Sequence, residues 1–251
     1  MKVAAYQAPL LPSGSMEAIG LIADQVKACE AAGVEILCCP EAVLGGLADY
    51  CSRPADCAID VASGQLRAVL TPLASKRVTT IVGFTEFGAG GQLFNSAAVF
   101  CQGEVVGVYR KMHPAINQSV YDPAAATPIF NVGRLVFGIV ICRDSTYREP
   151  ARGMATRGAS ALFVPTNNAL APVKGGAEVV EHARRTDISR AIENGVSVIR
   201  ADVAGRVGGL ESYGSSGIVE PDGTVLRVAK PLAPDLLIAD IQMPSYGTKS
   251  V

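Results

Sequence analysis

Two stretches of the chain have the pattern of a strand, a long amphipathic helix and a second strand, and no other feature constrains the fold as strongly. The first covers residues 3–39 and the second residues 160–201. In the first, apolar residues recur at helical spacing after residue 15, so we expect Ser15 to cap a helix that Gly33 ends. Each stretch therefore predicts a β-α-β unit, with two strands of one sheet joined by a helix.

Between these two units the pattern changes from helices to hairpins. Gln102-Gly103, for example, separates two apolar runs of strand length. The other predicted elements are helices at 65–76 and 149–157, strands at 79–84 and 236–241, hairpins at 95–109, 128–141 and 216–228, and loops at 42–60, 115–127 and 204–214. We expect the glycine-rich loop 204–214 to be mobile or to face a ligand. Because a doubly wound sheet would have fewer hairpins, the order favours an α/β fold of two mixed sheets packed face to face with helices outside.

The composition excludes several classes of function. Lysine and arginine number 22 against 23 acidic residues, which leaves no electrostatic footprint for nucleic acid or an acidic membrane surface. The seven cysteines lack the C-x-x-C spacing of a zinc site or redox pair, and no apolar run has the length of a membrane span. We expect residues 1–251 to form a single cytoplasmic domain whose partner is a small molecule or another copy of the chain.

Three residues suited to nucleophilic attack on a carbonyl each follow an apolar strand. They are Glu41, Lys111 and Cys142. The thiolate is the reactive form of cysteine, so a nearby base and a nearby cation would supply what Cys142 lacks. Glu41 can take the proton and pass it to a leaving amine, while Lys111 favours the thiolate and stabilises an oxyanion, together with the backbone N–H of Arg143. In a large α/β chain the same residues could also be solvated charges and a buried cysteine.

Several segments of the chain resemble the nitrilase superfamily, the carbon-nitrogen hydrolases, collinearly from residue 2 to residue 241. The segments are Val3-Ala4-Ala5-Tyr6-Gln7, Pro40-Glu41, Tyr109-Arg110-Lys111-Met112-His113, Gly138-Ile139-Val140-Ile141-Cys142-Arg143-Asp144, Ser189-Arg190-Ala191-Ile192-Glu193-Asn194 and Gly214-Ser215-Ser216-Gly217-Ile218-Val219. The resemblance implies a four-layer α-β-β-α sandwich that assembles as a homodimer or larger homo-oligomer. It also implies Glu41 as base, Lys111 as oxyanion stabiliser and Cys142 as nucleophile, without a metal or organic cofactor.

The reaction that the resemblance implies is hydrolysis of a non-peptide C–N bond. In the leading hypothesis Cys142 attacks a small linear amide, ammonia or an amine leaves, and water releases an acid from a thioester. A nitrilase acting on a C≡N bond and an N-carbamoyl amine hydrolase are alternatives, as is a degenerate member that serves for binding or assembly. A Cys142–His113 dyad is the alternative mechanism.

Two departures from the family pattern concern the pocket. Many relatives carry a second glutamate where this chain has Asn117, so either Asp122 replaces it or the site is tuned differently. Ser145 and Thr146 follow the nucleophile, where they leave the selectivity of the pocket open. We expect the substrate contacts to include Asn117 and Arg143 with three further residues near strand ends: Tyr147, Asn167 and Asn168.

Overall fold

A computed structural model describes residues 1–115, 118–171 and 176–243. The strands are β1 (Lys2–Pro9), β2 (Ile36–Cys38), β3 (Ala58–Asp60), β4 (Thr79–Phe87), β5 (Leu93–Cys101), β6 (Glu104–Arg110), β7 (Ile129–Val132), β8 (Leu135–Ile139), β9 (Ala161–Pro165), β10 (Ser197–Ala201), β11 (Val203–Val207), β12 (Leu210–Ser212), β13 (Gly217–Val219), β14 (Val225–Val228) and β15 (Asp235–Asp240). The α-helices are α1 (Ala18–Ala32), α2 (Gln65–Leu70), α3 (Ala151–Thr156) and α4 (Gly176–Asn194). Both β-α-β units are confirmed, since β1 pairs with β2 in parallel and β9 pairs with β10 in parallel.

The strands form two mixed sheets. One has nine strands in the order β12-β11-β1-β2-β4-β5-β6, with β15 also paired to β1 and β3 to β4. The other has six strands in the order β14-β13-β10-β9-β8-β7. Parallel pairs occupy the centre of each sheet and the predicted hairpins lie toward the edges. The central parallel strands therefore end at the same edge of their sheet, where polar residues can meet.

The two sheets pack against each other, and helices cover their outer faces. Alternation along β1 shows the layering, because Val3 and Ala5 enter the core between the sheets whereas Ala4 and Tyr6 pack under α1. On the other sheet Phe137 and Phe163 fill the shared core with ring centroids 5.1 Å apart in an edge-to-face pair. Such a pair stabilises the fold by about 0.5–1.5 kcal/mol beyond its buried area. The α-β-β-α sandwich is confirmed.

Three predicted elements are wrong in detail. Ser15 does not cap α1, which begins three residues later, although its Oγ accepts a hydrogen bond from Glu17 N (3.3 Å). The helix predicted at 65–76 ends at Leu70 and continues as a 3-10 turn, because Pro72 has no N–H to donate. Residues 204–214 mostly belong to β11 and β12, an antiparallel pair turned at Gly208-Gly209 that extends the nine-stranded sheet through β1.

Among the described residues, no helix has both the length and the apolar character that a bilayer span requires.

Candidate active site

The structure brings Glu41, Lys111 and Cys142 to one pocket at the carboxyl ends of their strands. Glu41 follows β2 and Lys111 follows β6 in the nine-stranded sheet, while Cys142 follows β8 in the other sheet. We call this cavity of about 100 Å³ the Cys142 pocket; its described lining residues are Glu41, Leu47, Asp49, Tyr50, Asn95, Lys111, Pro114, Ala115, Tyr121, Cys142, Asn167, Asn168, Ala169 and Leu170. The three residues predicted from the strand ends thus face a common space.

The carboxylate of Glu41 is buried and is held by three donors. Lys111 Nζ donates to Oε1 at 2.5 Å and Asn95 Nδ2 donates to the same oxygen at 2.8 Å. The backbone N–H of Asn167 donates to Oε2 at 2.9 Å. Because Asn167 lies after β9, the carboxylate is positioned by groups from both sheets.

Gly83 on β4 makes room for the backbone around Glu41. A Cβ at this position would lie 2.3 Å from the Pro40 carbonyl oxygen and 2.8 Å from Glu41 Cα. These are backbone atoms, so no side-chain rotation could relieve the contact. Glycine is therefore required here for a close approach of the chain that carries the carboxylate to β4.

Lys111 is buried beside Glu41 and remains charged. Burial is the largest single influence and lowers the pKa of its ammonium group. The charge and hydrogen bond of Glu41, together with the nearby Cys142 and Asp144, outweigh burial, so the pKa is raised overall. The backbone fixes its place as well, because Lys111 N donates to Asn95 O at 2.8 Å. A fixed cation in a water-poor pocket can stabilise an oxyanion.

Cys142 is the first residue of a 3-10 turn, Cys142–Thr146, which follows β8. Its φ of 45° lies in the left-handed region, which non-glycine residues adopt at an energetic cost of about 1–3 kcal/mol. Ser145 Oγ stabilises the turn by donating to the Cys142 carbonyl oxygen at 2.7 Å, and Arg200 Nη2 donates to the same Oγ at 2.9 Å. The turn thus holds the half-buried thiol toward the pocket.

The thiol of Cys142 is protonated in the resting site. Burial and, second, the charge of Glu41 raise its pKa to about 12, although Lys111 and Arg200 act in the opposite direction. Lys111 does lower the pKa of the thiol, in the direction that favours the thiolate, but burial and Glu41 raise the pKa by more. Attack by such a thiol would require a base, and the carboxylate of Glu41 lines the same pocket.

Asp144 joins the turn at Cys142 to the strand end that carries Lys111. Its buried carboxylate accepts hydrogen bonds from Tyr109 Oη (2.8 Å) and from the backbone N–H groups of His113 (2.8 Å) and Ile141 (3.2 Å). His113 Nδ1 also lies 3.0 Å from Asp144 Oδ1, and its ring stacks on Tyr147 with centroids 4.0 Å apart. His113 is absent from the described lining of the Cys142 pocket, which weighs against the Cys142–His113 dyad.

The predicted substrate contacts fall into different places. Asn167 and Asn168 line the Cys142 pocket, and Arg143 lines a neighbouring cavity of about 240 Å³ that also reaches Cys142. Tyr147 is exposed, where its hydroxyl accepts from Arg143 Nη2 (3.3 Å), and it is not among the described lining residues of either cavity. Asn117 lies outside the described residues.

Several pocket residues were not found from the sequence. Asp49 and Tyr50 enter from the segment predicted as a loop without regular structure, and Tyr121 holds that segment by accepting a hydrogen bond from Ala48 N at 2.7 Å. Asp122, the proposed replacement for the second glutamate, is exposed and is not among the described pocket residues. The signal that marked Glu41 and Lys111, a polar residue directly after an apolar strand, is missing at Asp49.

Within residues 1–115, 118–171 and 176–243, no group of three or more His, Cys, Asp or Glu side chains is arranged to hold a metal ion. The chemistry of the pocket is that of a thiol, a carboxylate and an ammonium group.

Comparison with known proteins adds sequence and structural relatives. The family model described as carbon-nitrogen hydrolase matches residues 2–249. A protein named nitrilase from Pyrococcus abyssi is 28% identical over 76% of this chain and 70% of its own length. A glutamine-dependent NAD(+) synthetase from Xylella fastidiosa is 29% identical over 83% of this chain, which spans only 38% of that protein. A cysteine-to-serine mutant of the Nesterenkonia AN1 amidase from the nitrilase superfamily superposes with a TM-score of 0.81 at 23% identity, over 96% of this chain and 92% of that one.

Proposed function

The chain belongs to the carbon-nitrogen hydrolase family, and from that premise we propose that it hydrolyses the non-peptide C–N bond of a small linear amide through a Cys142 thioester. One observation carries the proposal: Glu41, Lys111 and Cys142 line a single pocket. A carboxylate, a buried cation and a thiol are the three groups that such a reaction needs.

In the first step, the Cys142 thiol gives its proton to Glu41 as sulfur attacks the carbonyl carbon. The C=O bond becomes a C–O⁻ bond, and the oxyanion is stabilised by the charge of Lys111 and by the backbone N–H of Arg143. Because the resting thiol has a pKa raised to about 12, proton transfer and attack proceed together.

In the second step, protonated Glu41 gives the same proton to the leaving nitrogen. The C–N bond breaks, ammonia or an amine departs, and a thioester to Cys142 remains. Water then gives a proton to Glu41 and attacks the thioester, which releases a carboxylic acid and returns the proton to sulfur. Glu41 thus acts as base and acid in turn.

The dimensions of the site favour a small substrate. The Cys142 pocket has about 100 Å³, which is well below the roughly 300–1,000 Å³ of drug-sized sites. The neighbouring cavity of about 240 Å³ also reaches Cys142 and shares Ala115 and Asn168 with the Cys142 pocket, so a linear substrate can extend from one cavity into the other.

Hydrolysis of a nitrile is the second candidate, because the relative from Pyrococcus abyssi is named a nitrilase. Both reactions begin with attack by Cys142, but a nitrile has no leaving amine at that stage. The two functions differ in which substrates release ammonia.

The test is an ammonia-release screen over short aliphatic amides, carbamoyl amines and nitriles. We expect release from amides that disappears in Cys142→Ala, and a covalent acyl adduct at Cys142 in the wild type under rapid quenching. Release from nitriles but not amides would favour the nitrilase. Absence of release from every compound would favour the binding or assembly protein. Light scattering after gel filtration measures the predicted homo-oligomer separately.

A further inference from the structure

The side-chain amide of Asn168 is locked in one orientation beside the nucleophile. Its Nδ2 donates to Asp202 Oδ2 at 3.0 Å and to Ser215 Oγ at 3.1 Å. Its backbone N–H donates to Asp202 Oδ1, also at 3.0 Å. The remaining atom of the amide, Oδ1, lies 3.8 Å from Cys142 Sγ.

Hydrogen-bond chemistry allows no exchange of the two amide ends. Asp202 is fully buried and its carboxylate can only accept hydrogen bonds. Ser215 Oγ already donates its single proton to Asp202 Oδ2 at 2.7 Å, so toward Asn168 it is an acceptor as well. A flipped amide would place Oδ1 against two acceptors and leave it without a donor, which is costly in a buried network.

Asn168 therefore presents a fixed acceptor to the space above Cys142. In the resting site the donor to this acceptor is the thiol S–H of Cys142. This S–H contact must break before the thiol proton can pass to Glu41. Asn168 Oδ1 then has a hydrogen-bond donor only if the bound substrate supplies an N–H or O–H.

We propose that Asn168 Oδ1 binds an N–H of the scissile carboxamide and so selects amides over esters and nitriles. This inference rests on the proposed function for its substrate class. Reacting atoms in a productive complex lie about 3–3.5 Å apart, so a nitrogen bonded to the attacked carbon comes within hydrogen-bond reach of an acceptor 3.8 Å from sulfur. An ester oxygen and a nitrile nitrogen carry no hydrogen and leave the acceptor unpaired.

A site that binds a substrate N–H rejects analogues without one more strongly than an apolar pocket rejects a change of shape. Asp202 and Ser215 are positioning residues in this scheme, because they hold the amide without lining the Cys142 pocket. Asn168 Oδ1 is thus the recognition element, and its direction is fixed by Asp202, directly after β10, and by Ser215, before β13.

The experiment compares Asn168→Ala with the wild type on matched substrates: acetamide, propionamide and butyramide, and the methyl esters of the same acids. We expect kcat/KM for the amides to fall about two- to tenfold, the range for one net hydrogen bond. We expect kcat/KM for the esters to stay the same or to rise, because the substitution also removes the acceptor that an ester leaves unpaired. Asn131→Ala, at an exposed position in β7, is the control for the same substitution and should change neither.

An equal fall for amides and esters would overturn the inference, because it would mean that Asn168 only positions Cys142. If the wild type hydrolyses no amide, the proposed function fails, and an experiment that needs no turnover then tests the inference.

That experiment measures the rates at which iodoacetamide and methyl iodoacetate alkylate Cys142, by mass spectrometry, and compares the ratio of the two rates. A wild-type ratio above that of N-acetylcysteine that returns to it in Asn168→Ala supports the inference, and a wild-type ratio equal to that of N-acetylcysteine overturns it.

Discussion

Lys111→Met tests how far the fold depends on the buried ion pair of the site. Both side chains of the pair with Glu41 are almost fully buried, at 3% and 2% exposure. Removing one partner of a buried pair costs about 3–5 kcal/mol, because the other charge is left uncompensated. Asn95 and the Asn167 backbone still donate to Glu41, so we expect a loss near the lower end, about 3 kcal/mol of unfolding free energy.

The loss comes from the carboxylate of Glu41, which stays buried in Lys111→Met without its cation. The double variant Glu41→Gln/Lys111→Met carries no unpaired charge, and it should be more stable than Lys111→Met at neutral pH.

Urea unfolding followed by far-UV circular dichroism is the suitable assay, because the chain contains no tryptophan. Arg67→Met is the matched control, since it removes one partner of the exposed pair with Glu104 (61% and 59% exposed) and should cost less than about 1 kcal/mol. A loss below about 1 kcal/mol in Lys111→Met, or a double variant no more stable than the single one, would refute the reasoning.

Three further predictions concern the backbone and the thiols. Gly83→Ala forces a methyl group against the backbone of Pro40 and Glu41 and should lower kcat about a hundredfold in ammonia-release assays, whereas Gly20→Ala, with open space at its Cβ, should leave kcat unchanged. Alkylation of Cys142 by iodoacetamide should rise about tenfold per pH unit beyond pH 9, because its pKa is raised to about 12, and a plateau near the ordinary thiol pKa of about 8.5 would contradict this. Cys51 and Cys57, whose sulfurs lie 2.7 Å apart, should both disappear from a thiol titration after treatment with oxidised glutathione, and Cys57→Ser should abolish the paired loss.

The elements found from the sequence are those governed by local pattern. The helix that became α1 ends at Gly33 as predicted, where φ is 73°, and the strands before Glu41, Lys111 and Cys142 lie where apolar runs indicated. A polar residue directly after a buried strand is visible in the sequence. The motifs around these residues occur in the same order as in the nitrilase superfamily, and the match of the carbon-nitrogen hydrolase family model to residues 2–249 confirms this resemblance.

The parts that the sequence did not reveal depend on contacts between distant segments. Asp202 and Ser215 act on Asn168 across 34 and 47 positions of the chain, and no local pattern marks such a network. The hairpin of β11 and β12 was missed because its glycines are equally typical of a loop. The protonated state of Cys142 depends on burial, a property of the folded sandwich that residue types alone do not determine.

The site is divided between two sheets, so the distances between its side chains depend on how the two sheets pack against each other. Glu41 and Lys111 belong to the nine-stranded sheet and Cys142 to the other. The hydrogen bonds within either sheet therefore do not fix the distance from Cys142 to the other two residues. A misplacement of about 1 Å can reduce a rate about a hundredfold, which is a far tighter tolerance than folding imposes. Substitutions in the shared core, at Phe137 or Phe163 for instance, should therefore reduce turnover at a degree of repacking that barely changes stability.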